Sequence, residues 1–328
     1  MTALAPIMEG FFTTRLAQQR VSPHTVSSYR DCMRLLVAFA QARTATPPER
    51  LDLGDLDAEA IGAFLDHLES ARHNSVDTRN LRLTAIHSLF RYAQLRCPEH
   101  AALIARVLAI PTKRADTTVV SYLTRTETDA VLAAPDRAGE LGRRDHALIL
   151  VGVQTGLRVS ELTGLTGADV TFGTSAHVHT IGKGRRERHT PLTADTARLL
   201  RSWFDHRRVA PADAVFATRD GGRLSTDAVE NLVARHVATA ARRCPTLVDK
   251  HVTPHTLRHT CAMNLLHAGL DLATIALWLG HSSTKSTEIY LHADITLKEK
   301  ALARVAPTRT ARRRYRPPDR LLAFLEGL

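Results

Sequence analysis

The 328-residue chain reads as mainly α-helical, with a small β-sheet confined to the second of two domains. Three observations lead there. Apolar residues recur every three to four positions through residues 8 to 110, as one face of a helix requires. A polar, basic stretch without periodicity, Pro111-Thr-Lys-Arg-Ala-Asp-Thr-Thr, then breaks the pattern and reads as a linker over 111–120. Beyond it, Val178 to Leu192 reads as a β-hairpin with a basic, glycine-flanked tip, set among helical stretches. The second domain is therefore α+β, over 121–305, and residues 306–328 form a basic tail ending in a short apolar helix.

In the first domain, Ser22-Pro23 starts a helix, with proline in the first turn where its missing N–H costs nothing. Val26, Tyr29, Met33, Leu36 and Phe39 form its apolar face. Asp57 caps a short helix carrying Ile61, Phe64, Leu65 and Leu68, and a longer one follows with Leu81, Leu83, Ile86, Leu89, Phe90 and Ala93. Pro98 closes that region and opens a short helix with Leu103 and Val107. No strand is expected before residue 110. The second domain opens on a capping box, Thr124-x-x-Glu127. Helices with Val131 and with Ala147-Leu-Ile-Leu-Val come next, then the hairpin, then a turn at Asp220-Gly221-Gly222 and a helix capped by Ser225. From His255 the chain is helical again, with Gly269 and Gly280 placed as helix C-caps.

Composition narrows the partners. A net charge of +11 and a pI near 10.1 suit a polyanion, DNA or RNA, or an anionic membrane surface. No apolar run approaches the roughly 18 residues of a membrane span, and the N-terminus lacks the basic and apolar regions of a secretory signal. Cys32, Cys97, Cys244 and Cys261 are far apart, which argues against a zinc knuckle or a disulfide scaffold and fits a reducing cytoplasm.

The chemistry concentrates in the second domain. Thr155-Gly-Leu-Arg158-Val-Ser-Glu161-Leu supplies one arginine, Gly182-Lys183-Gly184 a lysine, and His255-Thr-Leu-Arg258-His259 a second arginine with two histidines. Leu279-Gly-His281-Ser-Ser follows, and Tyr290 stands nine positions after His281. Two guanidiniums can clamp a phosphate. Imidazoles and an ammonium can move protons, and a phenol can be a nucleophile. Each residue alone has a plainer reading. Arg158 would be a surface charge and Glu161 its exposed partner one turn on. Lys183 would be a solvated hairpin residue, and His281 a histidine at a helix C-terminus. His255 and His259 share a helix face, but no glutamate stands between them and a cation does, so a metal pair is disfavoured. His259 reads as a packed or hydrogen-bonded structural residue.

Taken together, in this order and spacing, the segments closely resemble the tyrosine recombinase (phage integrase) family, firmly over 121–305 and more loosely over the first 110 residues. The resemblance implies a helical core-binding (SAM-like) DNA-binding domain followed by a catalytic domain, and a site-specific recombinase or integrase that cuts and rejoins DNA through a 3′-phosphotyrosyl link. It assigns Tyr290 as nucleophile, Arg158 and Arg258 as phosphate clamps, His255 as general base, His281 as a further donor and Lys183 as general acid. Glu161 would orient Arg158, and Arg185 and Arg186 would touch the DNA backbone, as would the linker if the domains clasp a duplex. Neither metal nor ATP is needed, so no cofactor is implied. The implied partner is double-stranded DNA carrying specific recombination sites, held by a homo- or hetero-tetramer, with no membrane.

The tail beyond Pro307 is longer than a minimal chromosome-resolving member needs, which favours a mobile element. Its apolar end would dock on its own subunit or on a neighbour. A non-catalytic accessory DNA-binding protein and a type IB topoisomerase-like enzyme are the alternatives. Gly269 to Gly280 also resembles a helix-turn-helix, a reading that leaves Arg158, Lys183 and Tyr290 unexplained.

Overall fold

In the computed structural model the chain divides into two compact units, Met1–Thr117 and Thr118–Leu328, and residues 2–114, 120–182, 186–281 and 286–292 are described.

The first unit is helical. Leu4–Gly10 (α1) runs through a π-helical turn, Phe11–Arg15, into Leu16–Gln18 (α2). Pro23–Thr44 (α3) starts as its sequence dictates: Ser22 Oγ accepts the backbone N–H of Thr25 at 3.2 Å, which satisfies one orphan donor of the first turn. Asp57 does the same for Ala58–Ser70 (α4), accepting from Ala60 N at 2.8 Å, and Ser75 for Val76–Gln94 (α5). Ala101–Leu108 (α6) completes the unit. Leu36, Phe64, Leu65, Ile86, Leu89, Phe90, Ile104 and Val107 are wholly buried in its core.

One expectation is corrected here. Leu81 belongs to α5 but points away from the core and is 55% exposed, because Leu83 and Ile86 take the inward positions. Residues 111–113, at the start of the expected linker, are tied to the first unit. Arg79 donates to Pro111 O at 3.2 Å, Asn80 and Lys113 exchange two hydrogen bonds, and Lys113 Nζ pairs with Glu69 at 2.9 Å.

The second unit opens on Arg125–Ala133 (α7), where Thr124 and Glu127 form the expected capping box. Glu140–Thr155 (α8) is its central helix and packs against Pro254–His267 (α12). Val159–Gly164 (α9) leads to a three-stranded antiparallel sheet: Val170–Thr171 (β1), His177–Ile181 (β2) and Glu187–Pro191 (β3), in that order. The hairpin pairs Val178 with Thr190 and Thr180 with Arg188. Strand β1 was not expected, since two residues carry no alternation to read. Ala194–Arg207 (α10), Thr226–Ala241 (α11) and Leu272–Leu279 (α13) complete the named helices, and a 3₁₀ turn spans Glu288–His292. Ala147, Leu148, Ile149, Val151, Val178, Val229, Val233 and Leu257 are wholly buried at its centre. The tail and the hairpin tip lie outside the described residues.

Candidate active site

Helix α8 ends at Gly156, whose φ of 65° is the left-handed conformation that glycine adopts without strain. A helix end leaves carbonyls without intrahelical partners. Side chains from α12 and α13 take them: Cys261 Sγ donates to Gln154 O at 3.3 Å, Trp278 Nε1 to Thr155 O at 3.2 Å and Arg258 Nη1 to Gly156 O at 2.6 Å. Helix α13 ends likewise at Gly280, φ 66°. Arg258 Nη2 donates to Leu279 O at 2.7 Å and Arg158 Nη2 to Gly280 O at 3.3 Å. Two guanidiniums thus sit on the negative ends of two helix dipoles, which favours cations there. This is how Arg258 is held at 2% exposure without a direct carboxylate partner among the described residues. Burial, and next the charge of Arg158, push its pKa down to about 10, so it stays protonated at neutral pH.

Arg158 is the N-cap residue of α9, and its helix partner is Glu161. The Arg158 backbone N–H reaches Glu161 Oε2 at 2.8 Å and its Nη1 reaches Oε1 at 3.1 Å. Arg188 from β3 grips the same carboxylate with both terminal nitrogens, at 3.1 and 2.7 Å. Burial opposes ionisation of Glu161, but the hydrogen bond from Arg188 and its neighbours' charges hold the carboxyl below its ordinary range. Two guanidiniums therefore share one carboxylate, and a third, Arg258, is held nearby on main-chain carbonyls. Arg158, His255 and Arg258 line an open cleft of about 580 Å³.

Tyr290, in the 3₁₀ turn Glu288–His292, is 1% exposed. Burial pushes its phenol up to about 12, against the lowering effect of Arg258. The imidazole within hydrogen-bond distance is His259, whose Nδ1 lies 3.0 Å from the Tyr290 Oη. Burial and the charges of His255, Arg258 and His281 push His259 down to about 4, so at neutral pH its ring is uncharged, and in the tautomer protonated on Nε2 its Nδ1 accepts from the phenol. His255, the base that the motif implied, stands behind it, with ring centroids 4.4 Å apart. Though exposed at the cleft wall, its ring loses hydration to its neighbours, and with Arg258 and Arg158 close by it stays below the usual histidine range. His281 is also pushed down to about 4, by burial and then Arg258, and its Nδ1 lies 2.8 Å from Thr287 Oγ1.

The expected residues Arg158, Glu161, His255, Arg258, His281 and Tyr290 thus converge from α9, α12, the end of α13 and the last described turn. Lys183 and Arg185 lie outside the described residues. Arg186 is exposed, and its carbonyl accepts from Gly182 N at 2.8 Å. The sequence reading did not assign His259 to the phenol or Arg188 to Glu161. The first contact is tertiary and leaves no local sign. The second was available in the strand's alternation, since Arg188 shares its face with buried Thr190 while Glu187 and His189 face out. From the segment Gly269 to Gly280, the carbonyls of Leu279 and Gly280 meet Arg258 and Arg158 at this site. Among the described residues no group of three or more His, Cys, Asp or Glu side chains has the arrangement of a metal site.

A helical first unit, an α+β second unit and an arginine–histidine cluster around a tyrosine define a class that comparison makes explicit. The profile of the Phage integrase family matches residues 121–296, and that of the Phage integrase N-terminal SAM-like domain matches residues 9–96. The chain belongs to the phage integrase family, the tyrosine recombinases of site-specific recombination. It is 53% identical over 327 residues to the integrase/recombinase y4rC of Sinorhizobium fredii, covering 99% of this chain and 98% of the relative. To the tyrosine recombinase XerC of Chlamydia muridarum it is 31% identical over 296 residues, 85% of this chain and 90% of the relative. In fold it is similar to the Tn1549 transposon integrase in complex with transposon right end DNA (TM-score 0.68, 18% identity, 90% of this chain and 98% of that one). It is also similar to the XerH recombinase bound to palindromic difH substrate (TM-score 0.67, 21% identity, 87% of this chain and 81% of that one). No described helix is long and apolar enough to cross a membrane.

Proposed function

We propose that this protein is a DNA strand transferase that recombines specific duplex sites, in the service of a mobile element, through a tyrosine–phosphate link. The observation that carries the reading is the surplus of positive charge near a buried phenol: buried Arg188 and Arg258 and half-buried Arg158 against Glu161, with His259 on the Tyr290 hydroxyl. Such a pocket is built for an anion that arrives with its own charge.

The Tyr290 oxygen attacks the scissile phosphorus. Its proton passes to His259 Nδ1, the acceptor already in reach, and the bond from phosphorus to the 5′-oxygen breaks. With a pKa near 12 the phenol is almost entirely protonated at rest, so an acceptor is required as the bond forms. Arg158 and Arg258 meet the non-bridging oxygens, whose charge grows in the transition state. His255 and His281 donate further hydrogen bonds, and Lys183 protonates the departing 5′-oxygen. One phosphoester replaces another, so the bond is conserved, and attack by a 5′-hydroxyl of a second strand reverses the step. The groups named supply every charge and proton, without metal or nucleotide. Recombination of two duplexes in this way takes four sites, a tetramer on DNA. The relative y4rC, 53% identical, carries the name integrase/recombinase, which supports strand exchange between DNA sites.

The test uses a duplex that the protein selects from a random-sequence pool, nicked beside the cleavage point so that the cut strand cannot rejoin. A covalent protein–DNA adduct should form in excess EDTA and vanish in Tyr290→Phe. An adduct formed by the Phe variant would remove Tyr290 from its role.

A further inference from the structure

We propose that Arg188 is a positioning residue for Arg158: by holding both oxygens of Glu161 it leaves the Arg158 guanidinium free to meet the scissile phosphate. The proposal rests on the phosphoryl-transfer reading above and adds to it a residue outside the six-residue motif.

Glu161 accepts four hydrogen bonds, two on each oxygen. Oε1 takes Arg158 Nη1 and Arg188 Nη1, both at 3.1 Å, and Oε2 takes the Arg158 backbone N–H at 2.8 Å and Arg188 Nη2 at 2.7 Å. Only Arg188 makes the two-pronged contact of a guanidinium fork on a carboxylate. The Glu161 and Arg188 side chains are 7% and 9% exposed, whereas that of Arg158 is 30% exposed. The buried arginine thus occupies the carboxylate and the more open one faces the cleft.

The surroundings are shaped for this. Arg188 lies on the inward face of β3, opposite Thr180. A Cβ on Gly280 would lie 2.8 Å from Arg188 Nη1, and one on Gly182 would lie 3.1 Å from the same atom. Both backbones pack closely on the guanidinium, and at Gly280, φ 66°, a side chain would also strain the backbone. A one-residue slip of the hairpin would turn Arg188 outward.

The chemistry follows from competition. A buried carboxylate alone with Arg158 would form two parallel N–H···O bonds with it. That grip would turn the guanidinium edge away from a phosphate and cancel its charge. With Arg188 on the carboxylate, Arg158 contributes one side-chain N–H and its main-chain N–H, and its Nη2 lies at the Gly280 carbonyl by the end of α13. Arg188 thereby sets both the aim and the effective charge of a residue that it does not itself touch through any hydrogen bond described.

Adduct formation on the pool-selected nicked duplex tests this, using either a normal scissile phosphate or a methylphosphonate, which carries no charge for Arg158 to meet. Arg188→Met should lower the single-turnover rate about 10- to 100-fold on the phosphate, less than outright loss of an oxyanion donor because Arg158 is misaligned and not removed. On the methylphosphonate the same variant should lose less than about threefold, because the interaction that Arg158 supplies is then absent from the reference as well. Adding Glu161→Gln to Arg188→Met should restore rate, since an amide competes weakly for Arg158. Equal loss on the two substrates, or a double variant no faster than Arg188→Met, would overturn the proposal. If Arg188→Met fails to fold by thermal melting, Arg188→Lys, with one donor in place of a fork, carries the same comparison between substrates. Wild-type protein that forms no adduct at all would instead refute the underlying reading.

Discussion

Helix α8 carries a charge cluster near each end, built from similar residues to different effect. Early in the helix, Asp145 is surrounded. Arg144 gives its Oδ1 two hydrogen bonds, at 3.0 and 2.7 Å, while His236 and Arg235 take Oδ2 at 2.8 and 3.2 Å. The remaining terminal nitrogen of Arg144 donates to Ala217 O at 2.9 Å. Burial opposes ionisation of Asp145, but the hydrogen bonds from His236 and Arg144 hold its carboxyl below the ordinary range. At the other end, Arg258 is held by main-chain carbonyls, and Arg158 by the Gly280 carbonyl and by Glu161, a carboxylate that it shares with Arg188. The first cluster spends its donors on its own fold. The second leaves positive charge facing a cleft and a phenol. Using helix C-termini in place of carboxylates is what lets a cation be buried and still be available to an incoming anion.

Removing a cation from the second cluster should give the largest effect. Arg258→Ala should slow cleavage by about 3 kcal/mol, on the order of 100-fold, while binding to an intact duplex falls far less, since one phosphate contact among many is lost. Single-turnover rates and binding isotherms in the same salt separate the two, and equal losses would make Arg258 an ordinary backbone contact.

Asp145→Asn should do the reverse. It strands Arg144 and His236 in a buried site and should cost about 3 kcal/mol of stability by denaturant unfolding, with the cleavage rate per folded molecule unchanged within about twofold. A selective catalytic loss would erase the distinction between the two ends of α8.

A smaller effect concerns pH. His259 and His281 have folded pKa values near 4, below the ordinary 6.5 of the unfolded chain. The unfolded state then binds more protons between those values, so stability must fall as pH drops from about 6.5 toward 4 and be fully present above it. His259→Gln should flatten that slope in pH-dependent urea melts; an unchanged slope would mean that His259 is not held neutral by its place beside Tyr290. Smallest of all, Leu81→Ala should change stability by less than about 0.5 kcal/mol, against 2 kcal/mol or more for Leu83→Ala.

Much of this architecture could be read from the chain. Ser22, Asp57, Ser225 and the Thr124–Glu127 pair cap the helices expected of them, because capping is a local bargain between a side chain and the next turn. Gly280 ends α13 for the same local reason. What escaped was tertiary. Strand β1 is two residues long and exists only as a partner for β2. The His259–Tyr290 contact spans 31 positions and joins a helix to a turn. The motif marked His255 as the base by resemblance, and only the folded chain places His259 nearer to the phenol. Arg188 was visible as one of several basic residues in the hairpin, but its burial depends on the strand's register.

The central claim is that Tyr290, buried with its hydroxyl against His259, becomes the covalent link to DNA. Adduct trapped on the nicked duplex can be digested with nuclease and trypsin and sequenced by mass spectrometry. The peptide from Ser286 to Lys298 contains a single tyrosine. The account requires the nucleotide remnant on Tyr290 within that peptide; a remnant on any other residue, or an adduct that leaves this peptide unmodified, would contradict it.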